Sequence, residues 1–352
     1  MPDLSPRRET ILGLVVREYT ASRTPVGSKW LVQKYDLQMS PATVRAELAA
    51  LEELGLLCHP HPSAGRLPTE EGYRYYVHRI VGEPRLPLDE QRRIRHQFHQ
   101  ARLDIDQWMQ LAVAILAQSS QSAAVVTAPH MRQSRFKHLE LISTQGRLVL
   151  LVLVLGSGQV MQQMLTLAQP LSQEELGQMA ERLNNSCQGL SAREIGVTLR
   201  NLSLLELEVG SFVREMMTRA DERVASRIYS GGLGHLLNSP DLESGDAIQR
   251  GVRVLEERAL LEDVLSWVLR TAEPVPCTGG GSVRVLIGGE GRWEELRDWS
   301  MVLAHYGLAG HAVGAMGVLG PTRMPYGRVI SSVRYVAGVL TGLMNQVYGC
   351  ED

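Results

Sequence analysis

Apolar residues recur at helical spacing in three separate stretches near the start of the chain. Ile11, Leu14, Val15 and Tyr19 share one face of the first stretch. Ser5-Pro6 opens it, because serine can cap and proline tolerates a first turn where its missing N–H has no partner. Pro25 and Gly27 end it. Ser28 opens a shorter helix through Tyr35, with Trp30, Leu31 and Tyr35 as its apolar positions, and Asp36 to Met39 form a turn. Ser40-Pro41 repeats the opening signature. Val44, Leu48, Leu51 and Leu54 line the inner face of this third helix, which Gly55 stops. Leu56, Leu57 and Cys58 read as a short strand. Two prolines and a glycine between His59 and Arg66 exclude a ladder, so that segment is a turn and Leu67 returns as the partner strand. Thr69 caps a further helix, with Glu70 and Glu71 in its first turn and the aromatic residues Tyr73, Tyr75 and Tyr76 beyond.

Residues 83–102 form a linker or connecting helix. Its basic stripe (Arg92, Arg93, Arg95, Arg102) reads as a solvated face or as a supplementary phosphate contact. A helix over 105–117 and a strand at Ala123–Thr127 follow. The apolar runs 137–143, 147–155 and 159–167, split by Gln145-Gly146 and by Gly156 to Gly158, predict an antiparallel meander. Helical spacing then covers 172–185, 191–200 and 204–225. Ile228-Tyr229 is a short strand, 246–270 one long helix, 278–282 a loop, and 283–287 and 311–318 two strands. A last helix covers 328–347. The apolar stripes at 204–217 and 329–347 suit either burial between subunits or ordinary core. The fold class is a multidomain α+β protein.

Composition narrows the function. A chain of 352 residues holds two or three domains. Its net charge of −2 argues against whole-chain attraction to nucleic acid or anionic lipid, but not against a local surface. Residues 1–80 carry ten basic and nine acidic groups. Only three of the 36 basic residues are lysines, an arginine excess that fits nucleic-acid recognition or a GC-rich coding bias; its even spread favours the second. Four cysteines without a C-x-x-C pair predict free thiols in a reducing cytosol. The first residues lack a signal-peptide core, and the longest apolar run is about half of a membrane span, so a cytoplasmic protein with no membrane contact is expected.

Enzyme chemistry finds little support. There is no G-x-x-x-x-G-K-[ST] and no H-E-x-x-H. Gly314, Gly317 and Gly320 lack the strand–glycine–helix context of a phosphate cradle. His138 and Glu140 flank Leu139 in a strand, and Ser157 has no identifiable histidine partner. No catalytic residue, metal or cofactor is expected.

Helix, four-residue turn, helix, then an apolar strand with a Gly-Arg tip is the pattern of a winged helix-turn-helix. A major groove admits one helix, whose first residues meet base edges. The start of the third helix offers Ser40, Ala42, Thr43 and Arg45: small residues for close approach, a hydroxyl, methyls for thymine and a guanidinium for guanine or phosphate. Ser28 and Lys29 would hold phosphates from the start of the second helix. In the wing, Gly65 permits a tight tip and Arg66 could enter a narrow minor groove, with His61 and Ser63 completing the candidate contacts. A small helical domain that docks protein is the other reading of the same pattern.

These residues also carry a resemblance. Val26-Gly27-Ser28-Lys29, Ser40-Pro41-Ala42-Thr43-Val44-Arg45, Leu51-Glu52-Glu53-Leu54-Gly55, Ser63-Ala64-Gly65-Arg66-Leu67-Pro68-Thr69 and Gly72-Tyr73-Arg74-Tyr75-Tyr76-Val77 resemble the HrcA family of bacterial heat-inducible transcription repressors. The similarity continues through Gly231-Gly232-Leu233, Leu236 to Pro240, Ile287-Gly288-Gly289-Glu290 and Gly320 to Tyr326. The resemblance implies a winged helix-turn-helix domain at 1–82, a linker at 83–102, a GAF-like α/β domain from 103–135 and 226–352, and an inserted α+β dimerising domain at 136–225. It further implies a homodimer that represses chaperone operons at an inverted-repeat DNA operator, termed CIRCE, with the GroEL chaperonin keeping it active. A ligand-sensing regulator working through the GAF-like domain is the alternative.

Overall fold

The Ser5 side chain accepts a hydrogen bond from the Arg8 N–H and starts α1 (Pro6–Ser22), as the serine–proline pair predicts. Gly27 precedes α2 (Ser28–Tyr35), Ser40 caps α3 (Pro41–Glu53), and β1 (Leu57–Cys58) and β2 (Leu67–Pro68) pair antiparallel. Thr69 caps α4 (Glu70–Tyr75), which continues as a π-helical turn, Tyr76–Ile80. Then come α5 (Leu88–Gln100), α6 (Ile105–Ser120) and β3 (Ala123–Thr127). The computed structural model describes residues 2–61, 64–82, 84–101, 104–129, 134–156, 158–198, 203–222, 227–238, 245–271, 283–308 and 312–348. The expected loop at 278–282, Ser63 of the wing, and Cys277 and Cys350 lie outside the described residues.

Two compact units emerge: Met1–Pro129 with Arg227–Leu308 and Gly314–Asp352, and His130–Ser226 with Ala309–Val313. The second unit is a three-stranded antiparallel meander, β4 (Phe136–Gln145), β5 (Leu148–Leu155) and β6 (Val160–Thr166), followed by α7 (Gln173–Cys187), α8 (Ala192–Thr198) and α9 (Leu204–Glu222). Alternate residues of β5 (Val149, Leu151, Leu153, Leu155) are buried against the helices. Val209, Val213, Met216 and Met217 of α9 fill the same core. Much of the stripe at 204–217 is therefore core, while Leu204 at its start is exposed.

In the first unit the chain resumes with β7 (Ile228–Gly231), α10 (Leu233–Leu237), α11 (Gly245–Glu256), α12 (Arg258–Thr271), β8 (Val283–Ile287), β9 (Trp299–Gly307), β10 (Val313–Pro321) and α13 (Tyr326–Tyr348). The strands form one sheet in the order β7-β3-β10-β9-β8. Two features depart from the sequence reading. The expected single helix at 246–270 is two helices parted at Glu257, and β9 occupies a segment with no expected strand. All nine β9 residues are buried, so the period-two alternation that reveals a half-buried strand is missing. Gly251 of α11 lets the Trp299 indole lie against the helix: a Cβ there would stand 2.1 Å from Trp299 Cζ2. The Trp299 Nε1–H donates to the Ala247 carbonyl at 3.0 Å.

One continuous apolar cluster runs from Leu4 and α1 through α6 to Val329, Val333, Val336 and Leu340 of α13, so much of the 329–347 stripe is core as well. The N-terminal helices are fastened to the sheet by polar contacts too. Arg323 donates to the Tyr19 and Thr20 carbonyls (3.2 and 2.6 Å), Arg74 donates to the Ile287 carbonyl (2.7 Å), and the Tyr73 and Tyr326 rings meet at 5.7 Å.

Candidate nucleic-acid interface

The first turn of α3 is presented by its neighbours. Val44, Leu48 and Leu51 are buried, which fixes the helix by its inner face and leaves Ser40, Ala42 and Arg45 exposed, with Thr43 half-buried. The Ser40 Oγ accepts from the Thr43 N–H at 3.1 Å and lies 2.9 Å from the Thr43 Oγ1. Both hydroxyls thus serve the cap, leaving the Thr43 methyl and Ala42 as the small outward groups. α2 has no side-chain cap: its first intrahelical bond runs from the Leu31 N–H to the Gly27 carbonyl, which leaves the earlier N–H groups without an intrahelical acceptor. Lys29 is exposed beside them, whereas Ser28 is only 8% exposed, so its backbone is better placed than its hydroxyl to meet a phosphate.

Charge is sorted across this face. On α3, Glu47 accepts from Arg8 at 2.8 Å and has Arg7 at 3.7 Å. Glu52 is held by Arg66 at 2.8 Å and by His59. Lys29 and Arg45 have no carboxylate partner among the described residues. Glu47 and Glu52 are neutralised while the two cations nearest the helix starts stay available.

Glu18 of α1 ties α2 in place. Its buried carboxylate accepts from Lys34 Nζ at 2.8 Å and from the Tyr35 hydroxyl. Lys34 also stacks on the Trp30 ring, 4.5 Å from its centroid. Burial alone would raise the Glu18 pKa, but these hydrogen bonds and the Lys34 charge outweigh it and hold the group below the usual carboxylate range. Burial and the bond to Glu18 push Tyr35 up to about 12. The sign follows: a lowered folded-state pKa contributes stability above the unfolded value, near 4.5, that is lost as pH falls through the folded one. Glu18→Gln is therefore expected to destabilise the protein at pH 7, with the gap to the unmodified chain closing on acidification. Urea unfolding at several pH values checks this, and a gap independent of pH contradicts it.

The wing residues take on different first tasks from those expected. Expected to form a tight tip, Gly65 instead sits where the backbone passes close to α2's approach: a Cβ there would lie 2.5 Å from the Val26 carbonyl carbon and 2.6 Å from that of Pro25. This contact permits a two-way backbone bridge, Val26 N–H to Arg66 O (2.8 Å) and Arg66 N–H to Val26 O (2.9 Å). Arg66 is therefore at the base of the hairpin, 21% exposed and paired with Glu52. The turn itself is closed by the Ala64 N–H donating to the exposed His61 carbonyl at 2.8 Å. Gly65→Ala is expected to cost about 1–3 kcal/mol, since the clash is with backbone that cannot rotate away. Thermal unfolding reads the loss, and an unchanged melting point would show that the bridge yields freely. Sequence inspection had no signal for the Glu18–Lys34–Tyr35 tie or the Val26–Arg66 bridge, which join residues far apart in the chain.

Among the described residues no group of three or more His, Cys, Asp or Glu side chains is placed to hold a metal ion, and no helix is long and apolar enough to cross a membrane. Cys58 and Cys187 are free thiols, and burial pushes the pKa of both up.

Comparison with known proteins agrees with the residue pattern. A family model described as the HrcA protein C terminal domain matches residues 106–330. The heat-inducible transcription repressor HrcA of Roseiflexus castenholzii is 43% identical over 357 aligned residues, covering 99% of this chain and 97% of that protein. The protein of the same name from Herpetosiphon aurantiacus is 42% identical, with 99% and 97% covered. A solved structure described only as a hypothetical protein superposes with a TM-score of 0.56 at 20% identity, covering 97% of this chain and 98% of that one, which is a likeness of fold.

Proposed function

Because the chain belongs to the HrcA family of heat-inducible transcription repressors, we propose that it represses heat-shock chaperone operons by binding an inverted-repeat operator of the CIRCE type as a homodimer. Residues 1–82 act as a winged helix-turn-helix, and 83–102 connect it onward. Residues 103–135 and 226–352 form a GAF-like domain, and 136–225 form the inserted dimerising domain. The observation that carries the reading is the exposed start of α3, with Ala42, Thr43 and Arg45 outward and Glu47 and Glu52 already neutralised. A helix seated this way reads base edges, while the N–H groups opening α2 and Lys29 hold phosphates that set the register. Ser28, Ser40, His61, Ser63, Gly65 and Arg66 complete the candidate surface. Arg66 reaches DNA only by exchanging Glu52 for phosphate or a base edge, so its share is smaller than that of Arg45.

An inverted repeat demands two-fold symmetry, because equivalent helices must meet equivalent half-sites. With much of the 204–217 and 329–347 stripes occupied as core, a different surface supports a dimer. Ile142, Leu150 and Met164 align across β4, β5 and β6, with Leu148 and Val160 exposed on the same meander. An apolar sheet face of this kind is what a second copy would cover. In this reading the protein works in the cytoplasm, on the nucleoid when bound. GroEL maintains its active form, and heat-damaged clients that occupy the chaperonin relieve repression. Footprinting of the purified protein upstream of its own chaperone operon, with and without chaperonin and after a heat step, tests the whole reading. Protection of two symmetric half-sites that chaperonin strengthens supports it, and no protected repeat refutes it.

A further inference from the structure

α5 and α13 enclose a cavity of about 510 Å³ that the repressor reading does not use. Its walls are apolar: Leu86, Phe98, Tyr335 and Leu343. The Tyr335 hydroxyl donates to the Gln91 carbonyl at 2.9 Å, which fastens the two helices at this point. Three guanidinium groups, Arg85, Arg95 and Arg334, also line it, and among the described residues no acidic one does. Among the described residues none of the three has an ion pair, and the nearby Glu90 is engaged by Arg328 at 3.4 Å. The floor is open at Gly342, where an added Cβ would meet nothing within 4 Å.

We infer that this cavity binds an amphipathic anion, a carboxylate or phosphate carried on an aliphatic chain. The chemistry is two-sided. Guanidinium forks match carboxylate and phosphate, and three of them without an ion pair among the described residues, around an apolar slot, call for an anionic head. The apolar walls call for a hydrocarbon body, because an inorganic anion would leave them wet and a neutral alkane would leave the arginines without a counter-charge. The volume falls within the range of small-molecule sites. Pro84 lines this cavity and also a second one along α1, so the occupant would rest against the segment joining the N-terminal helices to α5.

Titration calorimetry on the full chain tests the assignment, with decanoate and decyl phosphate kept below their micellar concentrations and decanol and inorganic phosphate as controls. Saturable binding of both amphiphiles at one site per chain, with neither control bound, is expected. Arg95→Ala and Arg334→Ala should each weaken it about tenfold. Gly342→Leu should abolish binding, since the new side chain enters the open floor. Its melting temperature should stay at or above that of the unmodified protein, because leucine favours the helix more than glycine does. If Gly342→Leu fails to fold, the two arginine variants decide. Equal binding of decanol, binding accounted for by inorganic phosphate, no saturable binding, or undiminished binding by the variants overturns the inference. A change in the sedimentation of ligand-free Gly342→Leu would also overturn it, because the cavity would then be a contact between copies of the chain.

Discussion

Met164→Glu is expected to turn the protein into a monomer and to weaken operator binding by a factor of about 10²–10⁴, the range lost when two linked sites must bind separately. Met164 is 50% exposed and lies across β5 from Ile142, with Leu150 between them. Met164 pairs with Leu150 on the face of the meander opposite the buried row Val149, Leu151, Leu153 and Leu155, so the substitution leaves that row intact. A carboxylate at the centre of a dimer face would have to be buried without a partner, which costs more than the face gains. Sedimentation equilibrium and operator titration should change together. A variant that remains dimeric places the two-fold contact elsewhere.

Arg45→Ala is the second large effect. Removing a guanidinium that reads a base or holds a phosphate costs about 1–3 kcal/mol per half-site, and a symmetric operator counts it twice. Arg45 is exposed and has no ion-pair partner among the described residues, so its removal strands no carboxylate and the fold should keep its stability. Arg66→Ala offers an internal contrast. It frees Glu52 from a 2.8 Å ion pair, so some of its effect would appear as altered wing stability rather than lost affinity. A dimer of normal melting temperature with a weakened operator complex identifies Arg45 as a contact. Undiminished affinity in both variants removes α3 from the reading.

Local chemistry was legible where a residue acts on its own neighbours. Ser5, Ser40 and Thr69 announce three helix starts because a cap is a bond between residues three apart. Apolar runs parted by glycine-bearing turns announced the meander, although β5 is apolar at every position and only its burial alternates. β9, buried throughout, has no polar face to mark its period. The candidate site divided the same way. The start of α3 could be read from its cap and small residues. That Arg66 is drawn to Glu52, that Gly65 exists for the approach of Val26, and that Glu18 anchors Lys34 are long-range facts, set by how the hairpin and α1 fold back. The stripe at 204–217 was equally mute: helical spacing of apolar residues says that a face is buried but not by what.

In the proposed complex two copies of α3 read the operator sequence. Fluorescence-anisotropy titration of the full chain tests it most directly, on an inverted-repeat operator from its chaperone promoter, on the same repeat with half a helical turn inserted between the half-sites, and on a scrambled duplex, each at rising salt. One dimer is expected to bind the native repeat, with affinity that falls as salt rises and a steep loss on both altered duplexes, since the half-turn insertion rotates one half-site away from its helix. Equal affinity for all three duplexes, or no binding to the native repeat at low salt, would contradict it.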